Sequence, residues 1–299
     1  MRLEIITIED DRYPNQLKEI KNPPKQLYVR GNVKLLKSNI ISMIGSRLCS
    51  ENGVKLAEQF SRGLVYQGLT VASGMALGID TIAHKTTLQE KGKTIAVLGN
   101  GFKHIFPKEN IELYQQIIEN EGVVITEYPP EEKAKSDNFL ARNRIVSGLA
   151  LGILVIEAMY RSGTSVTARL AKQQGRKVFA LPHEVDDKNG IGTNRLIQEG
   201  AKIVTCTEDI IKEFPFLSYK VPPKKKEKEI EKQKKRKICK NKEYNEIYQL
   251  ITEAPITLNE IYQITSKNIA EVNHILLMLE LDEYVKKVAG GYVCILDKK

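Results

Sequence analysis

Short apolar runs rich in isoleucine and valine begin near Ile40, Leu69, Lys93, Val123, Leu151, Lys177 and Ala201, at separations of 24 to 30 residues. A strand, a helix and a return loop together occupy that length, so the rhythm points to repeated strand–helix units with a mostly parallel sheet and helices on both faces. The intervening stretches carry helix signals. Ser50 precedes Leu56, Phe60 and Leu64 at i, i+4 and i+8, with Gly68 behind them. Asn110 to Asn120 predicts a helix with Ile111, Tyr114 and Ile118 inward, and Ser165 to Gln174 predicts another, stopped by Gly175. Residues 1–37, with Tyr13-Pro14 and Pro23-Pro24, read as an extended arm too small for its own core, packing on a domain that spans 38–217.

The pattern breaks after Phe214-Pro215-Phe216. The net charge of +9 looks like a nucleic-acid signal until it is located. Residues 220–242 hold eleven lysines and one arginine against Glu227, Glu229 and Glu231, so this one tract equals the whole net charge. Bulk basicity therefore belongs to a lysine-rich linker, 218–242, that cannot bury a core. Residues 243–299 carry −4 and read as three helices followed by a hairpin around Gly290-Gly291, a small winged-helix domain.

Four scattered cysteines (Cys49, Cys206, Cys239 and Cys294) show no CxxC pair, and the histidines lack metal-ligand spacing, so no metal site and no cofactor are expected. The longest apolar run, Leu149 to Ile156, is far too short to span a membrane, and the N-terminus has no leader pattern. The expectation is a cytoplasmic protein.

In a parallel sheet, ligands bind beyond the carboxyl ends of the strands. Those loops are Gly45-Ser46-Arg47, Ser73-Gly74 through Asp80, Gly99-Asn100-Gly101, Glu127-Tyr128-Pro129, Glu157 with Ser162-Gly163-Thr164, and Pro182-His183. Most are rich in Gly, Ser or Thr and precede helices, which suits backbone N–H groups to an anion. The three spaced glycines of a dinucleotide site are missing, and Gly92-Lys93-Thr94 precedes a strand instead of following one. One further stretch, Asp137 to Leu149, sets Phe139 beside Arg142 and Arg144 at a helix start. A planar guanidinium beside an aromatic suits a phosphate with its base. Alternatively, the two arginines pair with Glu127 and Glu157, and Phe139 is core.

Ile44 to Arg47, Ser73 to Asp80, Ala96 to Gly101, Phe139 with Arg142-Asn143-Arg144, Val155 to Ala158 with Ser162 to Thr164, and Gly192 to Ala201 together resemble the DNA-processing protein A family, DprA or Smf. The likeness runs in order from about Tyr13 to Phe214, and residues 243–296 look like the winged helix that many members append. The resemblance implies an extended Rossmann-like, doubly wound fold that binds single-stranded DNA, dimerises, and helps to load the RecA recombinase during natural transformation. Carried over by motif, Ser46 and Arg47 would hold phosphate, Phe139 would contact a base, Asn138, Arg142 and Asn143 would line the pocket, and Lys135 would add a cation. Gly45, Ser73, Gly74, Gly99, Gly101, Ser162, Gly163 and Thr164 complete the expected site. The family usually has proline where Leu140 stands and glycine where His183 stands.

A second reading is an enzyme. The Gly45-Ser46-Arg47 and Ser73-Gly74 loops also resemble those of nucleotide phosphoribohydrolases, in which Glu157 would act on a ribosyl bond, although the Pro-Gly-Gly-x-Gly-Thr loop of that group is replaced by Tyr160-Arg161-Ser162-Gly163-Thr164. The last apolar run, Ala201 to Thr205, is expected at a sheet edge that pairs with a second copy, with Asn194, Leu196, Ile197 and Ile203 in the interface.

Overall fold

A computed structural model of the chain describes residues 2–221, 239, 241–252, 254–265 and 267–295. The chain divides into two units, Met1–Val221 and Pro222–Lys299. In chain order the first contains β1 (Glu4–Thr7), α1 (Asn15–Lys18), β2 (Gln26–Gly31), β3 (Ile40–Ile44), α2 (Glu51–Tyr66), β4 (Thr70–Ser73), α3 (Ile79–Gln89), β5 (Thr94–Val97) and α4 (Ile111–Glu119). It continues with β6 (Val123–Thr126), α5 (Ser136–Gly148), β7 (Gly152–Val155), α6 (Gly163–Gln173), β8 (Lys177–Ala180), α7 (Ile191–Gln198), β9 (Lys202–Ile203) and α8 (Thr207–Ile211).

All nine strands join one sheet in the order β1-β2-β6-β5-β4-β3-β7-β8-β9. From β6 to β9 the neighbours are parallel, while β2 pairs antiparallel with β6, and β1 with β2. The N-terminal arm thus extends the sheet of the domain it was expected to lean on. From β3 the chain winds outward through β4, β5 and β6, then crosses back by α5 to β7 on the other side. Strand order therefore reverses at β3, which is where a doubly wound sheet opens a crevice.

Every residue of β3 is buried, as a strand covered on both faces requires. Ile40 and Ile44 pack with Ile145, Val146 and Ala168 of α5 and α6, and Ile41 and Met43 with Ala57, Phe60 and Ile79 of α2 and α3. Ser50 caps α2, its hydroxyl accepting from the Gly53 N–H. Along α4 the inward residues are Leu113, Tyr114 and Ile117, and Ile111 is exposed, a different phase from the one the isoleucines suggest. Leu113, Tyr114 and Ile117 pack with Met75, Ala96, Leu98 and Val124, and the Asn110 side chain, just before the helix, donates to the Met75 carbonyl and Thr81 hydroxyl.

The second unit has α9 (Lys242–Leu250), α10 (Leu258–Ile264), α11 (Ile269–Leu281) and the hairpin of β10 (Val285–Val288) and β11 (Gly291–Cys294), a winged-helix arrangement. Ile247, Ile261, Val272, Ile275, Leu276 and Leu279 form its core. Capping boxes open α10 (Thr257 with Glu260) and α11 (Asn268 with Glu271). Lys220 and Val221, read from sequence as linker, are bonded to Gln67 and Tyr66 at the end of α2. The lysines from 224 onward to 237 lie outside the described residues. Among the described residues, no helix is long and apolar enough to cross a membrane.

Candidate nucleic-acid interface

A cleft of about 790 Å³ opens at the carboxyl end of β3. Four segments wall it: Gly45 to Leu48 after β3, Gly74, Ala76 and Asp80 around the turn into α3, Phe139 to Asn143 on α5, and Met159 with Ser162 to Thr164 before and within α6. The Ser46 hydroxyl donates to the Leu48 carbonyl and accepts from the Leu48 N–H, folding the first loop back on itself. Thr164 ties α6 to that loop by donating to the Gly45 carbonyl at 3.0 Å. Ser162 caps α6, and the open space over Gly163 leaves the first turn of the helix accessible to a ligand. Residues from the first turns of α3, α5 and α6 (Asp80, Ser136 and Gly163) all line the cleft, adding the partial positive charge of three helix N-termini.

The two arginines at the cleft differ in kind. Arg47 is exposed at its mouth and makes no ion pair among the described residues. Arg142 is 4% exposed and donates to the Val97 carbonyl at 2.7 Å. A Cβ on Gly74 would lie 1.9 Å from the Arg142 guanidinium, so only glycine leaves room for it. The nearby Asp80 carboxylate accepts from the Gly74 and Ala76 N–H groups at 3.1 and 3.2 Å. Burial lowers the Arg142 pKa to about 10, with the Asp80 charge opposing that shift and Arg47 adding to it. Burial likewise raises Asp80 above the ordinary 3.8, against the pull of Arg142. Arg142 stays charged at neutral pH, and the cleft holds two cations against one carboxylate, Asp80.

Phe139 is half-buried, its ring lying over Gly99, where a Cβ would come within 2.7 Å of Cδ1. Its other neighbour is Phe106, with ring centroids 5.5 Å apart and Phe106 itself 49% exposed.

Residues 4–215 match the model of the DNA recombination-mediator protein A family. The chain belongs to that family. Residues 234–291 match the DprA winged helix domain. Among relatives of the family, DNA processing protein DprA of Streptococcus pneumoniae is 45% identical over 210 residues, covering 70% of this chain and 74% of that protein. Protein Smf of Escherichia coli is 35% identical over 289 residues, 97% of this chain and 76% of that one. The S. pneumoniae crystal structure superposes with a TM-score of 0.68 at 43% identity, covering 72% of this chain and 76% of that one. DNA processing protein A of Helicobacter pylori, whose structure describes a single-stranded DNA binding mode, gives 0.63 at 30% identity, covering 70% of this chain and 95% of that one.

Of the residues carried over from the family motifs, Gly45, Ser46, Arg47, Gly74, Phe139, Arg142, Asn143, Ser162, Gly163 and Thr164 come together in the cleft. The others stand back from it. Ser73 is buried and donates to the Met43 carbonyl. Gly99 makes room for Phe139, and Gly101 for the carbonyls of Pro129 and Pro130. Lys135 pairs with Glu132 at 2.7 Å on the surface, and Asn138 sits half-buried on the turn above. Arg142, expected to line the pocket, does so as a buried cation.

Arg144 follows the structural alternative, gripping Glu127 through two hydrogen bonds of 2.7 and 2.6 Å that pin α5 to the end of β6. Among the described residues, Glu157 pairs with no arginine. It is fully buried and accepts from the N–H and hydroxyl of Ser50 beneath the start of α2. The His183 ring is buried too, placed between Asp187 and the Ile156 carbonyl, and it does not line the cleft, whereas Leu140 does and is 53% exposed. In the expected dimer surface, Leu196 is buried and the Asn194 amide is bonded to the His183 backbone, leaving Ile197 half-buried and Ile203 exposed. Sequence reasoning missed Asp80 as the buried negative charge that offsets Arg142, and Phe106, whose packing against Phe139 has no signature in spacing.

Proposed function

We propose that the cleft binds single-stranded DNA without catalysing a reaction, and that the protein protects the incoming strand and loads the RecA recombinase on it during natural transformation and recombination. The observation that carries this reading is the unpaired Arg47 at the mouth of a cleft that already holds a buried guanidinium and three helix N-termini, with an aromatic pair beside it. Such a cleft lowers its energy by accepting a phosphate, and a half-exposed ring is available to a base only when that base is unstacked. The family's role as recombination mediator and the binding mode described for the H. pylori relative support it. An enzymatic reading finds no free acid or base here: the cleft's carboxylate, Asp80, is occupied by backbone N–H groups, and Glu157 is sealed beneath α2. Free base released from AMP by the purified protein would overturn the non-catalytic reading.

Arg47→Ala is expected to weaken single-strand binding by about 1.5–3 kcal/mol, the range for hydrogen bonds to a charged group. Thermal stability should hold, because the side chain is exposed. Phe139→Ala should cost about 1–3 kcal/mol if a base stacks there, with the salt dependence nearly unchanged because every bound phosphate keeps its cation. Fluorescence anisotropy with matched single-stranded and duplex oligonucleotides across salt measures both, and wild-type affinity in a folded Arg47→Ala protein would remove the cleft from consideration.

The chain is further proposed to act in the cytoplasm as a homodimer through the outer edge of β9, which ends the sheet order, with Ile203 48% exposed and Ile197 beside it. Two clefts on one particle would raise apparent affinity for a strand that bridges them. Ile197→Glu with Ile203→Glu should yield a monomer by light scattering; a dimer mass for that variant rejects this edge. The winged-helix domain, at −4 over residues 243–299, is proposed to contact protein and not duplex phosphate.

A further inference from the structure

The segment from Met159 to Ser165 has two sides. Met159 and Ser162 to Thr164 line the cleft, whereas Tyr160, Arg161 and Ser165 line a second depression of about 190 Å³, completed by Arg169 of α6 and Arg195 and Glu199 of α7. Three arginines meet one acid there. Glu199 pairs with Arg195 at 2.9 Å, so one cation is neutralised. Arg161 lies over the Tyr160 ring, 5.1 Å from its centroid, and Arg169 donates to the Ser165 carbonyl at 3.4 Å. Neither has a carboxylate partner among the described residues. Tyr160 is 57% exposed, and Arg161 holds a φ of 55°, a left-handed backbone that non-glycine residues adopt rarely and that clusters at ligand-binding turns.

An arginine resting on an exposed tyrosine is common surface packing. Two further features make this one a candidate site: the surplus positive charge lies in a concavity, and one short segment forms the wall between that concavity and the cleft. A strand leaving the cleft over Ser162 and Gly163 meets Tyr160 and Arg161 next. We propose that this depression is a second nucleotide subsite, in which Arg161 and Arg169 hold phosphodiesters of the departing strand and Tyr160 offers its face to an unstacked base. The proposal rests on the cleft binding single-stranded DNA. Recognition of this kind is indifferent to sequence, since every base has a face to stack and every linkage a charge.

The test compares wild type with Arg161→Gln, Arg169→Gln by anisotropy on oligothymidylates of increasing length. Both side chains are exposed and make no ion pair among the described residues, so the variant should melt with the wild type. The shortest oligonucleotides that bind should bind both proteins equally. Longer ones should gain affinity on the wild type alone, and their salt slope on the variant should fall by about 0.7 for each phosphate no longer held. Tyr160→Ala should weaken only the longer oligonucleotides, by about five- to a hundredfold, at unchanged slope. The same length dependence in both proteins overturns the subsite, and so does an equal loss at every length, which would assign the arginines to the cleft itself. A changed particle mass in the variant overturns it in favour of assembly. A wild type that binds no oligonucleotide of any length overturns the cleft reading instead.

Discussion

Arg142→Ala is expected to destabilise the sheet domain by about 2–5 kcal/mol, the range for truncating a large buried side chain: it opens a cavity against Gly74, leaves the Val97 carbonyl without its donor and removes the positive charge that offsets the burial of Asp80. The motive is the 4% exposure of Arg142, the room left for it by Gly74, and the Asp80 carboxylate close by. In the variant, Asp80 keeps its two backbone donors but loses the cation that offsets its burial. Two controls separate charge from lost volume. Adding Asp80→Asn should recover part of the loss, because the amide oxygen can still accept from Gly74 and Ala76 while carrying no charge. The second control is pH. Asp80 is already raised above 3.8 by burial, and without Arg142 it rises further. A folded pKa above the unfolded one means that the native state binds more protons, so the Asp80 contribution to the variant's stability is largest at acid pH and is lost as pH climbs above 3.8 through the raised value. Urea unfolding monitored by circular dichroism at several pH values would show it. If Arg142→Ala melts like the wild type while Arg47→Ala does not, the roles assigned to the two arginines are exchanged.

Acidification should expose a second buried group. His84 is fully buried; its Nδ1 lies 2.7 Å from the Thr94 hydroxyl, which itself donates to the Val71 carbonyl. Thr94 therefore accepts from Nδ1–H, which leaves Nε2 unprotonated and without a partner among the described residues. Burial first, and the Arg142 charge second, lower the His84 pKa from 6.5 to about 3. The unfolded chain takes up the proton at pH 6.5 and the folded chain does not, so stability is complete above pH 6.5 and declines as pH falls toward 3. At about 1.36 kcal/mol per pH unit, the loss over that window is on the order of 4–5 kcal/mol. Between pH 7 and 5, carboxylates with lowered pKa values such as Asp187, Asp209 and Glu213 stay ionised, while the raised Asp80 acts in the opposite sense, so it is the difference between the wild type and a His84 variant that reads the effect. His84→Gln should flatten the stability profile in that range, whatever its stability at pH 7. An unchanged slope would mean that another group controls acid unfolding.

Much of the architecture was legible without coordinates. The 24 to 30 residue rhythm and the mostly apolar strands suffice for a mostly parallel, two-faced sheet, because strand length and crossover length are local properties and a strand buried on both faces shows no regular polar side. The Gly, Ser and Thr-rich loops located the cleft for the same reason: they follow strands, and strand ends at a reversal of order form the crevice. What spacing could not determine was where each side chain points and what lies opposite it. Ile111 and Ile118 offer one apolar phase for α4 and Leu113 with Ile117 another, and the second is the one that packs on Met75, Ala96, Leu98 and Val124. Arg142 and Arg144 stand two residues apart on one helix, yet one is sunk beside Gly74 and Asp80 and the other clamps Glu127, while Arg47 remains free at the mouth. Local sequence made the loops and helix starts that an anion needs. Burying one cation and leaving another open depended on partners far away in the chain, since the cost of burying a charge is set by whatever the fold brings against it.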